Sequence, residues 1–134
     1  MKIFVYGSLR EGFFNFNKYI NKSAKKIELG EVEGKLYAIN DKEYPALLDG
    51  EGRVIGEIIT LENCDINAID NMENYFGENN PQNEYNKLKR EIKNLKTGEI
   101  EILDVYVYNT KNTHFSFSNL TLVESGDWKE FKNK

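Results

Sequence analysis

The segment Ile3-Phe4-Val5-Tyr6-Gly7-Ser8-Leu9-Arg10 decides how the rest of this chain is interpreted. Its first three residues are good strand formers, and a short apolar run that stops at a glycine is typical of a buried strand. Gly7 lets the backbone turn and brings the amides of Ser8 and Leu9 close to anything bound at the strand end. Successive backbone N–H groups in such a turn can form an anion-binding concavity. An ordinary strand-ending turn is the simpler interpretation, so the segment alone indicates only a pocket.

Composition limits the classes of protein that this chain can be. Its 134 residues are 40% hydrophobic and 13% aromatic, which predicts one globular domain, 1–134, with enough apolar material for a core. The net charge of −4 with both signs interspersed argues against binding to nucleic acid or anionic lipid. We expect no signal peptide and no membrane span, and the single cysteine, Cys64, fits a reducing compartment. The predicted location is cytoplasmic.

The remaining pattern predicts an α+β fold with a twisted antiparallel sheet, either open or closed into a small β-barrel, and flanking short helices. One or two helical turns are expected within 15–22, and Asp65 is expected to cap a helix that runs to about Phe76. A loop is expected around Pro45, and 77–83 is predicted to be a polar surface loop. Further strands are predicted at 32–38, 53–61, 85–95 and 100–108, the last two paired as a long hairpin.

Glu73 is the least expected charge in the predicted helix. At about 100° per residue, the apolar stripe of this helix contains Ile66, Ile69, Met72 and Phe76, and Glu73 falls between the first two. A solvating glutamate belongs on the opposite face. Burial raises the pKa of a carboxyl group, and an ionised Asp70 nearby would raise it further, towards a value suited to proton transfer. In the simpler alternative, Glu73 lies at the edge of the stripe and reaches solvent or pairs with a lysine.

Other candidate motifs carry less weight. Glu57 shares a strand face with apolar residues, and a hydrogen-bonded structural carboxylate is its more ordinary interpretation. Gly7 to Gly12 has the glycine spacing of a phosphate loop but lacks the following lysine and hydroxyl residue. His114 has no cysteine or histidine cluster around it, so we predict no metal site and no cofactor. Trp128 is interpreted as a packing anchor.

The ordered set of short motifs resembles the gamma-glutamylcyclotransferase-like family over nearly the whole chain. Asn74 stands where a glycine often follows the glutamate, and Lys87 stands where the family often has arginine. The matching stretches are Val5-Tyr6-Gly7-Ser8-Leu9-Arg10, Gly12 with Asn15, Gly34-Lys35-Leu36-Tyr37, Tyr44-Pro45-Ala46-Leu47, Val54-Ile55-Gly56-Glu57, Ile69-Asp70-Asn71-Met72-Glu73, Tyr85 with Lys87, and Ser125-Gly126-Asp127-Trp128.

The resemblance implies a small β-barrel enzyme that releases 5-oxoproline and a free amine or amino acid from a small γ-glutamyl substrate. By position, Glu73 would be the catalytic acid and base, and Tyr85 would form a wall of the pocket. The attacking amine belongs to the substrate, so the enzyme needs neither a nucleophile of its own nor a metal. The γ-glutamyl group would be held, largely through backbone amides, by Tyr6, Gly7, Ser8 and Leu9.

A non-catalytic module that binds a small carboxylate ligand in the same pocket is the alternative, since a fold does not guarantee an activity. The position of Glu73 distinguishes the two. An enzyme requires Glu73 to face the Gly7-Ser8 turn across an open cavity, whereas a salt bridge directed elsewhere would favour binding. The polar loop 77–83 is a candidate lid. The sequence leaves the leaving amine and the oligomeric state open.

Overall fold

A computed structural model describes residues 1–133 of the chain, and in it three short helices accompany six strands. No helix in this range is long and apolar enough to cross a membrane. A short 3-10 turn, Phe117–Asn119, precedes the last strand. In chain order the other elements are β1 (Lys2–Val5), α1 (Phe14–Tyr19), β2 (Ala24–Ile39), β3 (Pro45–Leu61), α2 (Ile66–Met72), β4 (Tyr85–Asn94), β5 (Ile100–Tyr108), β6 (Leu120–Leu122) and α3 (Trp128–Lys132).

All six strands belong to one antiparallel sheet with the order β1-β3-β2-β4-β5, and β6 pairs with β2. This confirms the α+β prediction, but it does not confirm the barrel. No strand ladder joins β1 to β5 within residues 1–133, so the sheet is not closed. Side chains link these two strands instead: Lys2 pairs with Glu101 at 3.3 Å, and the Tyr6 hydroxyl donates to the Tyr106 carbonyl.

Strands β2 and β3 are longer than predicted and form the main hairpin of the sheet. The expected loop around Pro45 is instead the beginning of β3, where Pro45 pairs with Ala38. Proline is accepted as the first residue of a strand because it needs no ladder donor there. The turn-like stretch 49–52 also lies within β3. A register shift at Gly34 bends the two strands together without breaking them.

Helix α2 begins as predicted but ends early. The Asp65 side chain accepts a hydrogen bond from the Ala68 N–H at 3.1 Å, which confirms the cap. The helix ends at Met72, and Asn74 then adopts a left-handed φ of 52°. Phe76 is 55% exposed, so its predicted place on the core-facing stripe is wrong. The left-handed residue redirects the chain before a further helical turn can form.

The C-terminal segment is anchored by Trp128, which is 1% exposed and stacks on Phe131, as predicted for a packing residue.

The loop 77–83 contains no regular element, as expected, but a buried asparagine holds it together. The Asn83 side chain accepts from the Phe76 N–H at 2.6 Å and donates to the Gly77 carbonyl at 2.8 Å.

Candidate active site

The end of β1, the start of β3, the end of α2 and strands β4 and β5 enclose a cleft with about 320 Å³ of empty space, its open mouth included. All six residues proposed from the sequence line it, so the structure brings them together although they come from three separate parts of the chain. Tyr44, Pro45 and Tyr106 line it as well, and the sequence did not single these out for the site. The six proposed residues are Tyr6, Gly7, Ser8, Leu9, Glu73 and Tyr85.

Gly7 shapes the cleft by allowing a close approach. A Cβ atom at this position would lie 2.6 Å from Cδ of Pro45, well inside van der Waals contact. The chain turns at Gly7 as predicted, but this glycine does not have a left-handed φ. The glycine is needed because the Pro45 ring packs directly against the turn. This contact fixes the distance between β1 and the start of β3.

The turn after β1 is braced through its acceptors and its side chains. The Gly7 carbonyl accepts from the Arg10 N–H at 3.0 Å, and the Ser8 carbonyl accepts from the Phe16 N–H at 3.2 Å. Asn15 donates to the Ser8 hydroxyl at 2.9 Å. The backbone N–H groups of Gly7, Ser8 and Leu9 donate no hydrogen bond within residues 1–133. Because buried donors are nearly always satisfied, three unpaired amides beside a cleft indicate a place for an acceptor.

A buried ion cluster supports this turn from behind. Arg10 donates to Glu57 at 3.1 Å and to Asp127 at 2.9 Å, and Glu57 also accepts from the Glu11 N–H at 2.8 Å. Lys129 reaches the same Glu57 carboxylate at 2.9 Å. Glu57 is therefore the hydrogen-bonded structural carboxylate that the sequence indicated. The cluster ties β1, β3 and the start of α3 together.

Glu73 is the residue that follows the last turn of α2, where it caps the helix instead of lying inside it. Its N–H is held by the Ile69 carbonyl at 2.9 Å, and its side chain is partly buried in the cleft. The carboxyl group makes no hydrogen bond or ion pair with any of residues 1–133. Burial, then the negative charges of Glu84 and Asp70, raise its pKa from 4.5 to about 8. The predicted direction and the influence of Asp70 are confirmed.

Asp70 is itself held firmly. Both of its carboxylate oxygens accept from the Lys87 ammonium, at 3.1 and 3.3 Å, and the Tyr106 hydroxyl donates to it as well. Lys87 thus performs an ion-pairing role that an arginine could also fill. Asp70 lies one helical turn before Glu73, so its negative charge is close enough to disfavour ionisation of Glu73.

The two tyrosines proposed from the sequence serve as walls. Tyr85 is buried and donates to the Pro45 carbonyl at 2.7 Å, and Tyr6 donates to the Tyr106 carbonyl. Burial raises the pKa of both hydroxyls well above the usual value, and the nearby carboxylates raise it further. Both phenols therefore stay protonated and hold the backbone around the cleft.

Glu84 is the functional candidate that the sequence analysis missed. It lies in no predicted element, and neither its spacing nor its neighbours distinguish it from a loop glutamate. Its carboxylate accepts from the Tyr44 hydroxyl at 3.1 Å and from the Asn74 amide at 3.1 Å. Its position directly before Tyr85 is the one available clue.

Among residues 1–133 no group of three or more His, Cys, Asp and Glu side chains is arranged to hold a metal ion.

A family model for gamma-glutamyl cyclotransferase, AIG2-like proteins, matches residues 3–130 of this chain. The chain belongs to this family of enzymes. Asn74 has a left-handed φ, a conformation that asparagine tolerates better than most other side chains do.

Relatives of known name agree with this assignment. A gamma-L-glutamyl-butirosin B gamma-glutamyl cyclotransferase from Niallia circulans is 29% identical over 133 residues, which cover 97% of this chain and 76% of that protein. A gamma-glutamylcyclotransferase family protein, ytfP, from Citrobacter rodentium is 30% identical over 131 residues, 96% of this chain and 95% of that one. The crystal structure of YkqA from Bacillus subtilis matches 99% of this chain with a TM-score of 0.68 and 27% identity. This chain spans only 42% of YkqA.

Proposed function

We propose that this enzyme cyclises the γ-glutamyl group of a small conjugate, releasing 5-oxoproline and a free amine or amino acid. Residues 6–9 hold the γ-glutamyl group, Tyr85 forms a wall of its pocket, and Glu73 carries the protons. The observation that carries the proposal is the pairing of an unpartnered carboxyl group with three unpaired backbone amides in one cleft. The names of the relatives support the same reaction class.

The structure favours an enzyme over the alternative binding module. Glu73 lines the same cleft as the Gly7-Ser8 turn, and it forms no salt bridge with any described residue that would direct it elsewhere. A module that only binds a carboxylate needs no group that both accepts and donates a proton, whereas Glu73, with a pKa of about 8, can do either near neutral pH.

The reaction begins when the α-amine of the substrate attacks its own γ-carbonyl carbon. A C–N bond forms to close a five-membered ring, and the carbonyl oxygen becomes an oxyanion that the N–H groups of Gly7, Ser8 and Leu9 can stabilise. The original amide C–N bond then breaks, and the leaving amine takes a proton. Ionised Glu73 first takes one proton from the substrate ammonium, which frees the attacking amine, and then donates that proton to the leaving nitrogen as the amide C–N bond breaks. The ring nitrogen gives up a second proton through the same carboxylate, and the released amine takes it up as its ammonium form. Atoms and charge balance without a cofactor.

The raised pKa of Glu73 suits both proton transfers. An ordinary carboxylate is far too weak a base to take a proton from an ammonium group, whereas a pKa of about 8 lies near that of an amine. At pH 7 about one molecule in ten carries an ionised Glu73. Turnover should therefore increase as the pH rises towards 8.

Purified protein incubated with a panel of γ-glutamyl amines and γ-glutamyl amino acids tests the proposal, with 5-oxoproline measured by chromatography. We expect 5-oxoproline and the free amine in equal amounts from at least one member of the panel. Two matched controls define the chemistry. An N-acetylated γ-glutamyl conjugate lacks the nucleophile, and an α-glutamyl conjugate lacks the reactive γ-amide, so neither should be converted.

Binding of the panel without any 5-oxoproline would contradict the proposal and favour the carboxylate-binding module. Conversion of the N-acetylated conjugate would also contradict it, because that result requires attack by water or by an enzyme group instead of the substrate amine.

A further inference from the structure

A second cavity adjoins the cleft and contains Glu84, a carboxylate that the proposed reaction does not use. It has about 700 Å³ of empty space, its open mouth included, and shares Tyr44 with the cleft as a common wall. Glu84 lines this cavity, and the ring of Tyr108, a further lining residue, packs edge-on against Tyr85 with centroids 5.2 Å apart. We call this space the Glu84 chamber. Phe76, Phe115, Lys42 and His114 also contribute to it.

The chain holds Glu84 firmly in place. Its backbone N–H donates to the Asn74 carbonyl at 3.0 Å, and its carbonyl accepts from the Asn109 N–H at 2.9 Å. The two side-chain oxygens are each fixed by one donor, Tyr44 and Asn74. A glycine in place of Asn74 would leave one of these oxygens without its donor. Glu84 is thus a preorganised feature of the chamber.

The charge of Glu84 has no cation to balance it. Both of its donors are neutral groups, and it forms no ion pair within residues 1–133. The carboxylate is only partly exposed, whereas Lys42 and His114 lie exposed at the rim, where water screens a charge strongly. The negative charge of Glu84 reaches the cleft, since it raises the pKa of Glu73. An uncompensated carboxylate beside aromatic rings is a suitable environment for a cation.

We propose that the Glu84 chamber receives the leaving-group half of the γ-glutamyl conjugate and selects a leaving amine that carries a second, positively charged group. This inference rests on the proposed function, which places the γ-glutamyl half at residues 6–9. The remainder of the conjugate must then leave the cleft, and the chamber lies directly beyond Tyr44. A cationic remainder gains a charge-assisted hydrogen bond to Glu84, and an anionic one is repelled by it.

Three conjugates whose leaving amines each contain four carbons test the selection: γ-glutamyl-1,4-diaminobutane, γ-glutamyl-butylamine and γ-glutamyl-4-aminobutanoate, which carry a cation, no charge and an anion. We expect kcat/KM for the cationic conjugate to exceed that of the neutral one by about tenfold, with the anionic conjugate slowest. In Glu84→Gln, kcat/KM for the cationic conjugate should be no more than about three times kcat/KM for the neutral one. The ratio of these two values is the decisive quantity because any change in the pKa of Glu73 affects all three conjugates equally.

Two further variants make the test specific. Asn74→Gly keeps the left-handed backbone but frees one oxygen of Glu84, so it should reduce the ratio partially. Glu43→Gln makes the same chemical change one residue from Tyr44, on a side chain that is 88% exposed and pairs with Lys132, and it should leave the ratio unchanged. A full preference for the cation in Glu84→Gln, or no preference in the unmodified enzyme, would overturn the inference while leaving the cyclase function intact.

Calorimetry distinguishes a failure of the proposed reaction from a failure of the chamber assignment. It uses Glu73→Gln protein, which should bind the conjugates without converting them. If no conjugate yields 5-oxoproline but the cationic one binds about tenfold more tightly, and Glu84→Gln removes that difference, then the chamber assignment stands and the cyclase function fails. Equal binding of all three conjugates would contradict the chamber assignment, whether or not the enzyme converts them.

Discussion

Two glutamates lie on either side of the Tyr6–Arg10 segment, and their surroundings are opposite. Glu57 is 3% exposed and is bound by Arg10, by Lys129 and by the backbone of Glu11. Glu73 lines the cleft and has no hydrogen bond or ion pair to any other described residue. The first carboxylate is satisfied by the fold, and the second is surrounded by negative charge and apolar surface.

Glutamate stabilises the fold at position 57, whereas at position 73 it has the surroundings that the proposed proton transfer requires. Three donors compensate Glu57 for its lost hydration, so its charge is a structural element. Glu73 is desolvated without compensation, which raises its pKa to about 8 and makes a proton on it exchangeable near neutral pH. If this comparison is right, removing the first carboxylate damages stability and removing the second damages only activity.

The largest effect on stability should come from Glu57→Ala. This change leaves the buried Arg10 and the Lys129 ammonium without one partner, so the free energy of unfolding should fall by about 3 kcal/mol. The loss lies at the lower end for a buried pair because Asp127 still binds Arg10. Urea unfolding measures it, with Glu73→Gln as the matched control that should show no loss. A decrease below about 1 kcal/mol would mean that the cluster does not hold the turn.

Gly7→Ala should affect the cleft more than the fold. The new Cβ would have to displace the Pro45 ring, which moves one wall relative to the turn. We expect kcat/KM for 5-oxoproline release to fall by about 100-fold, since a displacement near 1 Å can cost that much. The double variant Gly7→Ala/Pro45→Ala removes the collision and should recover part of the loss. Full activity in Gly7→Ala would show that the close contact does not position the substrate.

A smaller effect, with the opposite sign, is expected for the stability of Glu73→Gln. The pKa of Glu73 is about 8 in the folded chain and near 4.5 when unfolded, so the folded state holds its proton longer as the pH rises. The native enzyme therefore loses stability between about pH 4.5 and pH 8, and the glutamine variant does not. At pH 8 the variant should be more stable by about 1–2 kcal/mol, a reduced figure because Glu73 is partly solvated. Unfolding curves of both proteins at pH 4 and pH 8 check this. If the two proteins are equally stable at both pH values, the result would contradict an unpaired, desolvated Glu73.

The sequence was sufficient to predict those features of the fold and the site that depend on residues close together in the chain. The turn at Gly7-Ser8, the cap at Asp65 and the hairpin of β4 and β5 each follow from neighbouring residues, and Glu73 was found because a charge interrupts an apolar stripe. The end of α2 was placed too late because the left-handed Asn74 has no periodic pattern that marks it.

Long-range pairing supplies what the sequence could not. Tyr44 and Pro45 reach the cleft because β3 pairs with both β1 and β2, and Tyr106 reaches it because β5 is in register with β4. Glu84 belongs to a loop whose course depends on the buried Asn83. The closed barrel was expected from the number of strands and from the family resemblance, but neither determines whether the two edges of a sheet meet.

The proposed role of Glu73 as proton carrier is tested by the pH dependence of 5-oxoproline release by the native enzyme and by Glu73→Gln. The native enzyme should show kcat/KM rising with pH to a limit set by an ionisation near pH 8, because the ionised carboxylate accepts the proton of the substrate. In Glu73→Gln this ionisation should disappear and kcat/KM should fall by about 1,000-fold. A folded glutamine variant that retains the native rate and the native profile would contradict the claim that Glu73 carries the protons.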